Sequence, residues 1–100
     1  MLQILRVSGI SLSPAFNEGD FVLAVKIPFV ISGLRPGDVI VFRHPEFGTL
    51  IKRVDHLSPG GEEVFVVGTQ ENSVDSRQFG LINIKDVTGK VIWHIRKPGG

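Results

Sequence analysis

Apolar residues along this chain come in short runs, and each run is cut by Gly, Pro, Asn or Asp before it could complete a long helix. Leu2, Ile4, Leu5 and Val7 make an entry run that stops at Ser8-Gly9. Residues 21–27 are rich in β-branched and aromatic side chains, and so are 39–43, 49–55, 63–67 and 90–96. Between them stand Arg35-Pro36-Gly37-Asp38, His44-Pro45-Glu46-Phe47-Gly48 and Ser58-Pro59-Gly60-Gly61, the chemistry of turns. The pattern predicts about six strands with one short helical turn at 82–87 and a turn-like segment at 11–20. Many short strands without sustained helical periodicity indicate an all-β fold, a small coiled sheet or barrel.

Residues 68–80 do not fit this rhythm. They form a polar stretch too long for a simple connection in a compact domain, and loops of that kind are usually functional or disordered. Asp75 and Arg77 stand two apart within it, so an extended backbone would put both on one side. A local ion pair that staples the loop is the simplest account of those two residues.

Composition narrows the functions available. At 100 residues the chain is expected to be one domain, 1–100, with one core. A formal net charge of +1 offers no electrostatic basis for nucleic acid as the main partner. Without cysteine, disulfides, thiolate catalysis and Cys-ligated metals are excluded. His44, His56 and His94 lack the close spacing of a metal motif, so neither a metal nor another cofactor is expected. The longest apolar stretch, 21–34, is interrupted by Lys26, Pro28, Ser32 and Gly33 and is too short to span a bilayer, which predicts a soluble object. Phe29, Val30 and Ile31 near its tip are candidates for a lip facing substrate or a membrane surface.

A lysine can serve as the base for a serine hydroxyl if burial destabilises its ammonium. Lys52 has such a setting: strand alternation places it in a row between Leu50 and Val54. An edge-strand lysine that reaches solvent would give the same pattern. With seven serines and five lysines in the chain, these residues alone leave the serine partner open.

Four segments in order close that gap by resemblance. Gly9-Ile10-Ser11-Leu12-Ser13-Pro14-Ala15-Phe16, followed by Gly19-Asp20, resembles the nucleophile segment of the signal peptidase I family. Arg35-Pro36-Gly37-Asp38-Val39-Ile40-Val41-Phe42 is similar to its next strand, and Leu50-Ile51-Lys52-Arg53-Val54 to its general-base strand. Residues 68–80, with Asn72-Ser73-Val74-Asp75-Ser76-Arg77, are similar to its last signature. The resemblance implies a serine endopeptidase in which Ser11 attacks and Lys52 takes its proton. It implies that Ser73 orients the lysine, while Asp75 and Arg77 form a salt bridge that holds the loop. Ser76 matches the motif without a separate role. The Ser11 backbone N–H would donate to the oxyanion; Gly9 stands where some members place a second donor, so that donor is unassigned.

Leu12 and Ala15 stand where the family has methionine and threonine, and Thr69-Gln70 where Asp-Asn is usual. Only a short connection lies between Lys52 and Gly68, so the large inserted β-domain of bigger members is not expected. In size the chain is similar to compact members such as the nickel-type superoxide dismutase maturation proteases, which trim a leader from a precursor. The partner implied is a precursor polypeptide bound as an extended strand, with small residues before the cleaved bond. Two other readings share parts of this pattern: a fragment of a self-cleaving SOS-type repressor, and a non-catalytic β-module that binds peptides.

Overall fold

Alternating apolar residues need a second surface to bury their inward row, and among the described residues seven strands supply it to one another in a single sheet. The computed structural model describes residues 2–7, 16–69 and 74–96. The strands are β1 (Leu2–Arg6), β2 (Phe21–Val25), β3 (Val39–His44), β4 (Gly48–Leu57), β5 (Glu63–Val67), β6 (Ile82–Asn83) and β7 (Val87–Ile95). They lie in the order β1-β2-β7-β3-β4-β5-β6, and every pairing is antiparallel. β1 and β6 are the two ends, and among the described residues no pairing closes the sheet between them. The all-β expectation holds, in its coiled-sheet form and not as a barrel.

β7 makes this order possible. Its C-terminal part pairs with β2 and its N-terminal part with β3, so one long strand joins two hairpins. Register shifts between Leu23 and Ala24, and between Val41 and Phe42, let the sheet bend at that junction. Gly89 lies at the same place: a Cβ there would come within 3.0 Å of the Ala24 Cβ. A side chain there would crowd Ala24 and need β2 or β7 to give by a few tenths of an ångström.

β3 is the central strand, and its Val39, Ile40, Val41 and Phe42 are all buried, as expected of a strand covered on both faces. Ile40 and Phe42 join Val54, Val64, Val66, Ile82 and Val87 in the main core cluster. A three-residue turn links β3 to β4, with Gly48 at φ 75° completing the reversal. The His44 Nδ1 accepts the amides of Glu46 at 3.0 Å and Phe47 at 3.3 Å, which closes that turn.

Three short elements differ from the sequence-based expectation. α1 (Pro28–Ser32) forms within the apolar stretch, because Pro28 presets the first helical φ and Ile31 and Leu34, three apart, reach the core together. α2 (Ser76–Phe79) forms within the long polar loop. The helical turn expected at 82–87 is a 3-10 turn at Ile84–Asp86, preceded by β6 and running directly into β7. Among the described residues no helix is long and apolar enough to cross a membrane.

Candidate active site

Lys52 occupies the middle of β4, directly across from Ile40 of β3. Residues paired across an antiparallel ladder point to the same face, so the lysine stem shares the core side with Ile40, Phe42, Leu50 and Val54. Lys52 is 4% exposed, and the alternative of a solvated edge lysine is set aside by that burial. Burial is also the main reason its ammonium sits below its ordinary pKa of 10.5. The negative charge of Asp75 works against that shift and the positive charge of Arg77 adds to it.

Asp75 and Arg77 come to this place through β5. In the β4–β5 ladder Val54 faces Val66 and Arg53 faces Val67, so β5 ends next to the strand that carries Lys52. β6 covers β5 only at Glu63 and Val64. Beyond that point the outward amides of β5 need other acceptors, since a buried N–H left alone is costly. The Val66 N–H donates to Ser76 Oγ at 2.8 Å, and the Gly68 N–H donates to Asp75 Oδ2 at 2.9 Å. Two side chains thus take the place of a missing strand.

Asp75 is fully buried and also caps α2, its Oδ1 accepting the Arg77 backbone N–H at 3.0 Å. The Arg77 guanidinium donates to the same carboxylate through Nη2 at 2.6 Å and Nε at 3.0 Å. The two residues therefore form the ion pair read from their spacing, with a buried anion and a guanidinium side chain that is 45% exposed. The role of Ser76 was not legible in the sequence, although Asp followed by a short helical turn is a start signal that could have suggested the cap.

Of the sequence-derived site residues, the structure brings Lys52, Asp75 and Arg77 together. Ser11 with its backbone N–H, and Ser73, lie outside the described residues. The two flanks of the Ser11 segment are described. The Val7 N–H donates to the Asp20 carbonyl at 2.7 Å, and the Gly19 N–H to the Val7 carbonyl at 2.9 Å.

The family model described as signal peptidase, peptidase S26, matches residues 1–61 and 59–95. The chain belongs to the signal peptidase family. It is similar to signal peptidase I V of Bacillus subtilis (strain 168), with 30% identity over 99 residues that cover 84% of this chain and 59% of that relative. It thus spans less than two thirds of the length of the curated relative it matches. Its open all-β sheet is consistent with a small signal peptidase core.

Other features lie apart from Lys52, Asp75 and Arg77. Among the described residues no group of three or more His, Asp or Glu could hold a metal. His56 pairs with Asp55 at 2.8 Å and stacks on Phe65, both on the surface. A cavity of about 620 Å³ lies between α1 and the 3-10 turn, lined by Pro28, Ile31, Ile84 and Val87 with Lys26 and Lys85. None of its lining belongs to β4 or α2.

Proposed function

We propose that this chain is a serine endopeptidase that removes a leader or signal segment from a precursor polypeptide through a Ser11–Lys52 dyad. The observation that carries the reading is the lysine: buried in an apolar row, with its ammonium destabilised, on the strand that matches the family's base. A neutral amine is what a serine hydroxyl needs as a proton acceptor. Lys52 takes the Ser11 proton as the hydroxyl oxygen attacks the scissile carbonyl. The Ser11 backbone N–H donates to the oxyanion. As the C–N bond breaks, the leaving amine receives the proton from the Lys52 ammonium, and an acyl-enzyme ester remains on Ser11. A water then attacks the ester with Lys52 again as base, releasing the acid and restoring the hydroxyl.

Ser73, two residues before the Asp75 cap, is assigned to orienting the Lys52 amine. Asp75 and Arg77 anchor that segment to β5 and set the local field at the lysine. The precursor is taken to bind as an extended strand. Contact with a membrane surface belongs to the same proposal, supported by an apolar row on the outer face of β1, β2 and β7. Leu2, Ile4, Phe21, Trp93 and Ile95 are all exposed there.

The test is cleavage of an internally quenched peptide with alanine before the scissile bond. Ser11→Ala and Lys52→Ala should each abolish cleavage while the sheet stays folded, and the double variant should be no worse than either. Substantial cleavage by either single variant would refute the dyad. Lys52→Arg should stay inactive even at raised pH, because a guanidinium does not become neutral.

A further inference from the structure

We infer that His94 and Asp20 are positioning residues that fix the arm on which the chain leaves the Ser11 segment, a role that rests on Ser11 being the nucleophile as proposed above. The β1–β2 ladder ends at Arg6 and Phe21, and two backbone bonds between Val7 and Gly19-Asp20 extend it by one step. Asp20 is 3% exposed, and burying a carboxylate is costly unless donors surround it.

Its Oδ2 accepts the Asn17 N–H at 3.0 Å and meets Nε2 of His94 at 2.7 Å. The Asp20 N–H in turn donates to the Asn17 carbonyl at 3.0 Å, so residues 17–20 are clamped from both ends. His94 comes from β7, seventy-four positions along the chain, where it pairs across from Val22. Its ring also packs on Phe16, with ring centres 4.4 Å apart. One imidazole therefore holds both the base of the arm, at Asp20, and its outer end, at Phe16.

A hydrogen bond to a carboxylate needs a hydrogen on Nε2. That is so in the imidazolium and in the Nε2–H form of the neutral ring, so either form can make the bond. Its effect would be passed through Phe16 and Asn17 to the segment that carries Ser11. Misplacing a reacting group by about 1 Å can lower a rate roughly a hundredfold, which gives a reason to keep this costly pair.

Two substitutions at His94 separate positioning from packing. His94→Phe keeps an aromatic ring against Phe16 but offers Asp20 no N–H, whereas His94→Gln keeps an N–H donor and loses the ring. The readout is the rate at which a serine-directed acylating probe labels Ser11, together with kcat and KM on the quenched peptide. His94→Phe should label at least about tenfold more slowly, with the loss in kcat and KM little changed, while His94→Gln should stay within about threefold of the parent. Hydrogen exchange at the Asn17 and Gly19 amides should quicken in His94→Phe and not in His94→Gln, a readout independent of activity. Parent-like labelling and exchange in His94→Phe, or a slower rate in His94→Gln than in His94→Phe, would overturn the positioning role alone. Absence of label at Ser11 in the parent would overturn the dyad and this role with it.

Discussion

Replacing Asp75 by alanine is the sharpest perturbation of the clamp beside Lys52, and its cost can be worked from the contacts. The carboxylate caps α2, and losing such a cap costs about 1 kcal/mol. Its Oδ2 also accepts the Gly68 N–H, which is partly buried and would be left without that acceptor, at about 1–2 kcal/mol. The guanidinium contact adds less than its 2.6 Å distance suggests. Arg77 is half exposed and can turn to water, so about 1 kcal/mol or less is lost with the ion pair. The sum is about 3 kcal/mol, which for a domain of this size lowers Tm by about 12–24 °C. Arg77→Ala should lose about 1 kcal/mol or less, because the cap and the Gly68 bond survive. Thermal unfolding followed by circular dichroism at neutral pH measures both variants. A loss of under about 4 °C for Asp75→Ala would show that the carboxylate is not the buried hub of this clamp. Equal losses for the two variants would show that the ion pair, and not the backbone bonds, carries its strength.

Two further expectations concern the titration of Lys52. Since Asp75 raises its pKa and Arg77 lowers it, Asp75→Asn should move the alkaline rise of cleavage to lower pH and Arg77→Gln should move it to higher pH; shifts in the same direction would refute the assigned field. A lysine pKa lowered by folding means that the unfolded chain binds the proton more tightly, so Lys52 penalises folding fully below its folded pKa and progressively less as pH rises toward its ordinary value of 10.5. Lys52→Met should therefore be more stable than the parent at neutral pH, with the gap shrinking in alkali; paired pH–stability curves with a constant gap would mean a solvated, ordinary lysine.

Six of the seven strands found among the described residues were legible because each carries its own local signal; the two-residue β6 falls where a helical turn is expected. β-branched runs such as Val39-Ile40-Val41-Phe42 favour extended backbone, and the Gly and Pro turns between them leave little choice of boundary. The alternation of Leu50, Lys52 and Val54 likewise put the lysine in an apolar row, because a side-chain period of two belongs to any strand. That pattern did not say whether the row was covered. Burial depends on what lies across the ladder, and Ile40 of β3 with the core around it decided that Lys52 is enclosed. Pairing choices were equally out of reach. β7 joins β2 to β3 only because its two halves meet different partners, and contacts between strands distant in sequence leave no local mark.

The short helices show the opposite limit. Phe29-Val30-Ile31 has strand-like residues, yet Pro28 and the demand of the core for Ile31 and Leu34 together made a helical turn there. In the polar loop, Asp75-Ser76-Arg77 suggested an ion pair by spacing alone, and the pair is present. The sequence could not reveal that Asp75 and Ser76 would also serve as acceptors for the amides of β5, because that need arises only where β6 ends. The link between Asp20 and His94 had no sequence signal at all, being a contact across seventy-four positions. Local preferences act through neighbouring atoms along the chain and can be read from it. Burial, edge satisfaction and long-range pairs exist only once distant segments exclude water together, and tertiary structure alone decided them.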